Sequence, residues 1–345
     1  MAADPVAQSQ TGQLGRPQRN IRLAQRLRAS IAQRRSYKES TMYTRLLIPL
    51  DGSKTSETVL PYARFLAGRL KLPVELLQVV DVAEIGRRIS PDKAEFLNEI
   101  LANVLRRAAD YLNEVARTLG DVNVTCTVEK GAAAAEFIIE KAAQDPGTLI
   151  NMATHGYSGF KRWLLGSVAE KVLRGARNPL FLVRATEQVK RDEEATLRIV
   201  IVPLDGSALA EKVLAPVAEL AKRMKLEVIL FRAYTLPASA LAADAEAYYL
   251  VSDEKLIAAL HEEAAAYLEK KAQAIKEMGV EKVSCLAQYG FAADQIISLG
   301  RKTPDNLIAM CTHGQSGVKR WVLGSVTETV VRHSGDPVLV IRAAG

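Results

Sequence analysis

The segment Ala153-Thr-His-Gly-Tyr-Ser-Gly-Phe-Lys-Arg-Trp-Leu-Leu-Gly-Ser-Val168 returns, little changed, as Cys311-Thr-His-Gly-Gln-Ser-Gly-Val-Lys-Arg-Trp-Val-Leu-Gly-Ser-Val326. Between 153–184 and 311–342, 17 of 32 positions are identical without a gap. Two amphipathic segments that merely share a chemistry do not agree so far, so the chain is a tandem duplication.

Each copy has the same local grammar. A short apolar run, Leu149 to Met152 or Leu307 to Met310, predicts a buried strand. Glycines and small polar residues then make a loop, and Gly166-Ser167 or Gly324-Ser325 opens an amphipathic helix. A glycine loop feeding a helix N-terminus brings backbone N–H groups and the positive end of the helix dipole to one place, which suits an anion. A second reading uses the same residues. Ser167-Val-Ala-Glu170 and Ser325-Val-Thr-Glu328 both fit the S-x-x-E capping box, in which each serine serves its own helix.

Working outward, each copy opens on a continuous apolar strand ending in Pro-Leu-Asp-Gly-Ser, at Pro49 to Ser53 and at Pro203 to Ser207. Strands of this kind belong to a parallel sheet covered on both faces. Helices are predicted over Glu57 to Leu70 and Glu211 to Met224, second strands over Val74 to Val80 and Glu227 to Ala233, and long helices near Ala94 to Leu119 and Asp253 to Met278. Third strands at Val122 to Glu129 and Lys282 to Gln288 close on Gly131 and Gly290, before helices Ala134 to Gln144 and Ala293 to Arg301. The quoted motif then leads to fifth strands, Pro179 to Arg184 and Pro337 to Arg342. Alternating strands and helices imply right-handed crossovers and an α/β fold of two doubly wound parallel sheets in tandem. The expected division is a basic arm at 1–42, α/β domains at 43–185 and 197–345, and a charged linker at 186–196.

With 345 residues, 48% of them hydrophobic, the chain can bury two ordinary cores. No apolar run approaches the ~20 residues that cross a bilayer. The net charge of +7 is unevenly spread: residues 1–40 carry +6, leaving +1 for the other 305. The body therefore lacks a broad nucleic-acid footprint. In the arm, Ile21, Ala24, Leu27 and Ile31 share one helical face with arginines around it, a pattern suited to an anionic surface or a protein partner. A solvated tail or an organellar transit peptide fits the same residues. Cys126, Cys285 and Cys311 are odd in number and fall in predicted strands, which indicates reduced thiols and a cytoplasmic setting.

No catalytic set is assigned. His155 and His313 lie in the motif loops without a carboxylate or nucleophile beside them, and read as hydrogen-bonding loop residues. With four histidines and no H-E-x-x-H or C-x-x-C cluster, no metal ligands are assigned, and Mg2+ would enter only with nucleotide phosphates.

The two motifs resemble those of the universal stress protein family in its tandem form, which carries G-x2-G-x9-G-[S/T]. Here His155-Gly156 is followed after nine residues by Gly166-Ser167, and His313-Gly314 after nine by Gly324-Ser325. The resemblance covers nearly all of 43–184 and 197–343, but not the arm. It implies sheets of strand order 3-2-1-4-5, related by a pseudo-twofold axis through antiparallel fifth strands, with a further homodimer left open. It also implies an adenine nucleotide, ATP, or else ADP or AMP, at the carboxyl edge between strands 1 and 4. On that basis Pro49, Asp51, Gly52, Ser53, Val79, Val80, Ala153, His155, Gly156, Gly166, Ser167 and Val168 form site one. Pro203, Asp205, Gly206, Ser207, Arg232, Ala233, Cys311, His313, Gly314, Gly324, Ser325 and Val326 form site two. The family's first motif glycine is Ala153 in one copy and Cys311 in the other, and the cysteine makes site two the more altered.

Three functions follow from these features: an ATP-binding stress-response or regulatory protein with little or no hydrolysis; an interaction scaffold with degenerate sites acting through its arm; and an adenylylating enzyme. The third lacks its marks, since the strand-1 turn has no Ser-Gly-Gly and the chain no H-x-G-H.

Overall fold

Apolar runs of four to eight residues, rich in Val, Ile and Leu, form the inner strands of the body, while the two edge strands, Val124–Lys130 and Val283–Tyr289, mix apolar and polar residues. In this computed structural model, residues 42–88, 96–154, 165–184, 194–236, 254–312 and 323–342 are described. They belong to one unit, Met42–Gly345, and the basic arm lies outside them.

The first half runs β1 (Arg45–Pro49), α1 (Lys54–Glu57), α2 (Leu60–Leu70), β2 (Val74–Val80), α3 (Val82–Arg88), α4 (Leu97–Arg117), β3 (Val124–Lys130), α5 (Ala134–Ala143), β4 (Thr148–Ala153), α6 (Ser167–Gly175) and β5 (Leu180–Val183). The second runs β6 (Ile199–Pro203), a 3-10 turn (Ala210–Val213), α7 (Leu214–Met224), β7 (Glu227–Tyr234), α8 (Glu254–Glu277), β8 (Val283–Tyr289), α9 (Ala292–Lys302), β9 (Asn306–Cys311), α10 (Ser325–His333) and β10 (Val338–Ile341). The helix expected over Glu57 to Leu70 breaks in two because Pro61 sits at its start. The proline ring crowds the carbonyl four residues back, that of Glu57, where α1 ends. Pro216 stands in the same relation to Lys212 in the 3-10 turn.

All ten strands make one sheet, in the order β3-β2-β1-β4-β5-β10-β9-β6-β7-β8. Each half contributes the order 3-2-1-4-5 with parallel neighbours. The halves meet where β5 and β10 pair antiparallel, Phe181 opposite Leu339. The cores therefore divide by sheet face and not by half. Leu46, Leu60, Leu112 and Phe181 share one apolar cluster with Val200, Val217, Leu268 and Leu339, under α2, α4, α7 and α8. On the other face Ile138, Ile150 and Val172 cluster with Ile296, Ile308 and Val330, under α5, α6, α9 and α10.

Candidate functional site

Crossovers leave β1 in opposite directions toward β2 and β4, so a crevice opens outside the carboxyl ends of β1 and β4, and likewise of β6 and β9. A turn and the two feet of the motif loop stand at these strand ends.

The first is the Asp-Gly-Ser turn. Gly52 has φ +82 and Gly206 φ +87, a conformation that side chains with a Cβ rarely adopt. The Ser53 amide donates to Asp51 Oδ1 at 2.9 Å and the Ser53 hydroxyl to the same oxygen at 2.5 Å. In the second half the Ser207 amide donates to Asp205 Oδ1 at 2.9 Å. Each serine oxygen also accepts from the first helical turn, Ser53 from the Ser56 amide and Ser207 from that of Ala210, both at 3.1 Å. Asp and Ser thus shape the turn and cap the next element. Pro49 and Pro203 end the strands before it.

The second loop is the motif. Its feet are pinned alike in both halves: the Gly166 amide donates to the Thr154 carbonyl at 2.7 Å, and that of Gly324 to the Thr312 carbonyl at 2.6 Å. His155, Gly156, His313 and Gly314 lie outside the described residues, as do Trp163 and Trp321. The helix starts differ from the capping-box expectation. Gly166 and Gly324 are the N-caps, with extended backbone (φ −61, ψ 147 and φ −60, ψ 140) and no side-chain cap bond. Ser167 and Ser325 are pushed to the first helical position, exposed beside Val168 and Val326. Glu170 and Glu328 turn to Arg174 and Arg332, at 3.1 and 2.9 Å. Among the described residues no side-chain cap bond meets the first-turn amides of α6 and α10, as an anion site requires.

Ala153 and Cys311 are buried at the ends of β4 and β9. Burial pushes the Cys311 thiol up to about 12, against the Val213 backbone and Lys212, which pull it down, while Asp205 adds a further rise. The thiol thus faces the 3-10 turn. None of the three cysteines is in a disulfide.

Strand register corrects one assignment. Pro49 pairs with Leu77 and Pro203 with Phe231, so Val79 corresponds to Ala233, Val80 to Tyr234, and Arg232 to Gln78. Arg232 is therefore not the counterpart of Val79, and its side chain points to the α8 face, the face away from that of Ala233. The sequence held the signal, since Pro49 to Val80 and Pro203 to Tyr234 have equal spacing.

That register exposes residues missed by motif reading. In half two the Tyr267 hydroxyl donates to Glu211 at 3.0 Å, and Lys271 pairs with Glu211 at 2.7 Å. The Arg232 guanidinium lies 4.8 Å from the Tyr267 ring centre and 3.4 Å from Glu263. In half one Tyr111 holds the place of Tyr267. Burial raises its hydroxyl well above the ordinary tyrosine range, with Glu57 adding to the rise.

Among the described residues no helix is long and apolar enough to cross a membrane, and no three His, Cys, Asp or Glu side chains gather as a metal site.

The family model of the universal stress protein family matches residues 42–184 and 196–342. One universal stress protein of Methanocaldococcus jannaschii is 32% identical over 143 residues, 41% of this chain and 83% of that protein. A second from the same organism is 30% identical over 159 residues, 42% of this chain and 97% of its own length. The crystal structure of a universal stress protein from Archaeoglobus fulgidus covers 88% of this chain and 98% of its own, at TM-score 0.59 and 22% identity, a likeness of fold. Duplicated motif, strand order and two matched segments agree: the chain belongs to the universal stress protein family, with two of its domains in tandem.

Proposed function

We propose that the chain is a stress-response regulator that binds adenine nucleotide, chiefly ATP, at the carboxyl edge of each half, with occupancy and not hydrolysis as its output. One observation carries the reading. Both motif helices start on a glycine without a side-chain cap beside the β1–β4 and β6–β9 crevices, so their first-turn amides and dipole are open to phosphate. The positive-φ glycines of the facing turns add walls without a Cβ. The residues present fit a polyphosphate, which would bring its own Mg2+. The three unpaired thiols support a cytoplasmic setting.

The test is a cap supplied in place of the ligand. Gly166 and Gly324 have backbone angles open to any residue, so Gly166→Asp and Gly324→Asp put a carboxylate on the first-turn amides. Each variant is expected to lose one of two ATP sites in calorimetry while its helix gains a few tenths of a kcal/mol. Undiminished ATP binding in both variants, or equal affinity for GTP, overturns the reading.

One observation favours a second reading, an interaction scaffold with degenerate sites: +6 of the charge lies in residues 1–40. There the arm would seek an anionic surface or a protein partner, and the purified chain would release no nucleotide on denaturation.

A further inference from the structure

The two halves differ in charge beneath the turn that borders each crevice. In half two Arg232 Nη2 lies 3.5 Å from where a Cβ on Gly206 would stand. In half one Gln78 Nε2 lies 3.7 Å from the same point on Gly52. Both side chains occupy the same ground under the turn glycine, and only one is charged. A second cation follows the same rule: Lys271 sits one helical turn after Tyr267, and the residue one turn after Tyr111 is Val115, fully buried and apolar. The Arg232 guanidinium lies over the Tyr267 ring, and the side chain of its acidic partner Glu263 is 68% exposed. Water screens that pair, so Glu263 offsets little of the guanidinium's charge.

Resting on the nucleotide reading above, we propose that Arg232 and Lys271 make half two the site for the more highly charged ligand, a nucleoside triphosphate, while half one favours less charged adenine compounds such as adenosine or its monophosphate. Asp51 and Asp205 both face an anionic ligand with a negative charge of their own. Half two sets Arg232 and Lys271 where half one has Gln78 and Val115, and the exposed Glu263 stands where half one has the exposed Arg107, two positions at which water screens the charge. The four charges of metal-free ATP, held about one Debye length from Arg232 in ~0.1 M salt, amount to about a threefold preference, whereas uncharged adenosine feels almost nothing. The cysteine at Cys311 does not oppose this, because its thiol is directed at the 3-10 turn and is buried.

Calorimetry on the full chain, without Mg2+, reads the difference. In the Gly166→Asp background, with half two as the open site, Arg232→Gln is expected to weaken ATP about threefold and leave adenosine almost unchanged, and to flatten the salt dependence of ATP binding. Arg232→Lys should keep most of the ATP preference, which separates charge from stacking on Tyr267. In the Gly324→Asp background, Gln78→Arg should strengthen ATP by a similar factor and leave adenosine unchanged. If Arg232→Gln unfolds the chain, this converse variant decides. Equal loss of ATP and adenosine, or no change in either swap, overturns the proposal while leaving the nucleotide reading intact. A wild-type chain that binds neither ligand overturns that reading first and the proposal with it.

Discussion

Asn151 is fully buried in β4, and neither its amide nitrogen nor its amide oxygen has a hydrogen-bond partner. Half two carries Ala309 at the same place, fully buried with its polar group absent. Asn151→Ala relieves about 1–3 kcal/mol of unmet desolvation and leaves a small cavity costing about 0.6 kcal/mol. The variant is expected to unfold about 1 kcal/mol harder in urea, and a lower midpoint would show that Asn151 holds a buried water. Residue by residue, the sequence is most informative where backbone chemistry constrains the choice. Gly52 and Gly206 could be named from the Asp-Gly-Ser turn alone because only glycine suits their φ. Side chains that act across the sheet were out of reach. Nothing in Phe-Arg-Ala-Tyr announces that Arg232 reaches under Gly206 and over Tyr267, 35 residues further on, because that contact depends on how β7 and α8 pack.

At the scale of elements, strands and crossovers were legible because buried parallel strands are continuous apolar runs bounded by turns. Helix starts were not. Ser-x-x-Glu fits a capping box in one frame, and a glycine cap one residue earlier fits equally well. The extended backbone of Gly166 and Gly324 decides for the glycine and moves the serine hydroxyl out of capping position. The other ends of these helices are tied across the molecule. Arg342, at the end of β10, donates to the Leu173 and Arg174 carbonyls in the last turn of α6, at 3.1 and 2.6 Å. Arg184 donates to the Ser334 carbonyl after α10, at 3.4 Å. Charged donors on helix C-terminal carbonyls contribute about 1.5–3 kcal/mol where the geometry is good. Arg342→Met is therefore expected to destabilise the chain by about 2 kcal/mol, as read from denaturant midpoints. A shift worth under about 1 kcal/mol would mean that the contact is surface-like.

For the whole molecule, the ten-stranded sheet joins the halves: among the described residues, both cores close over strands of the two halves. Deleting residues 1–41 is expected to leave the melting temperature and ATP affinity unchanged and to abolish binding to vesicles of anionic lipid, an attraction that in the full chain weakens steeply with salt. A truncated chain that melts earlier would instead assign the arm a packed role. Division into two cores was foreseen, but their plane was not. Repeats suggest one core per copy, whereas the antiparallel join of β5 and β10 runs each apolar layer through both copies.

That join has a genetic consequence. When two identical copies meet across a twofold axis, every substitution appears on both sides at once, and a change that helps one site must be tolerated by its mirror image. With both copies on one polypeptide, their meeting no longer depends on protein concentration, and the mirror constraint is gone. Arg232 could replace a glutamine-like neutral residue, or Cys311 a small one, on one side alone. A fused pair is in this sense free to become two different instruments while keeping the geometry of a symmetric one.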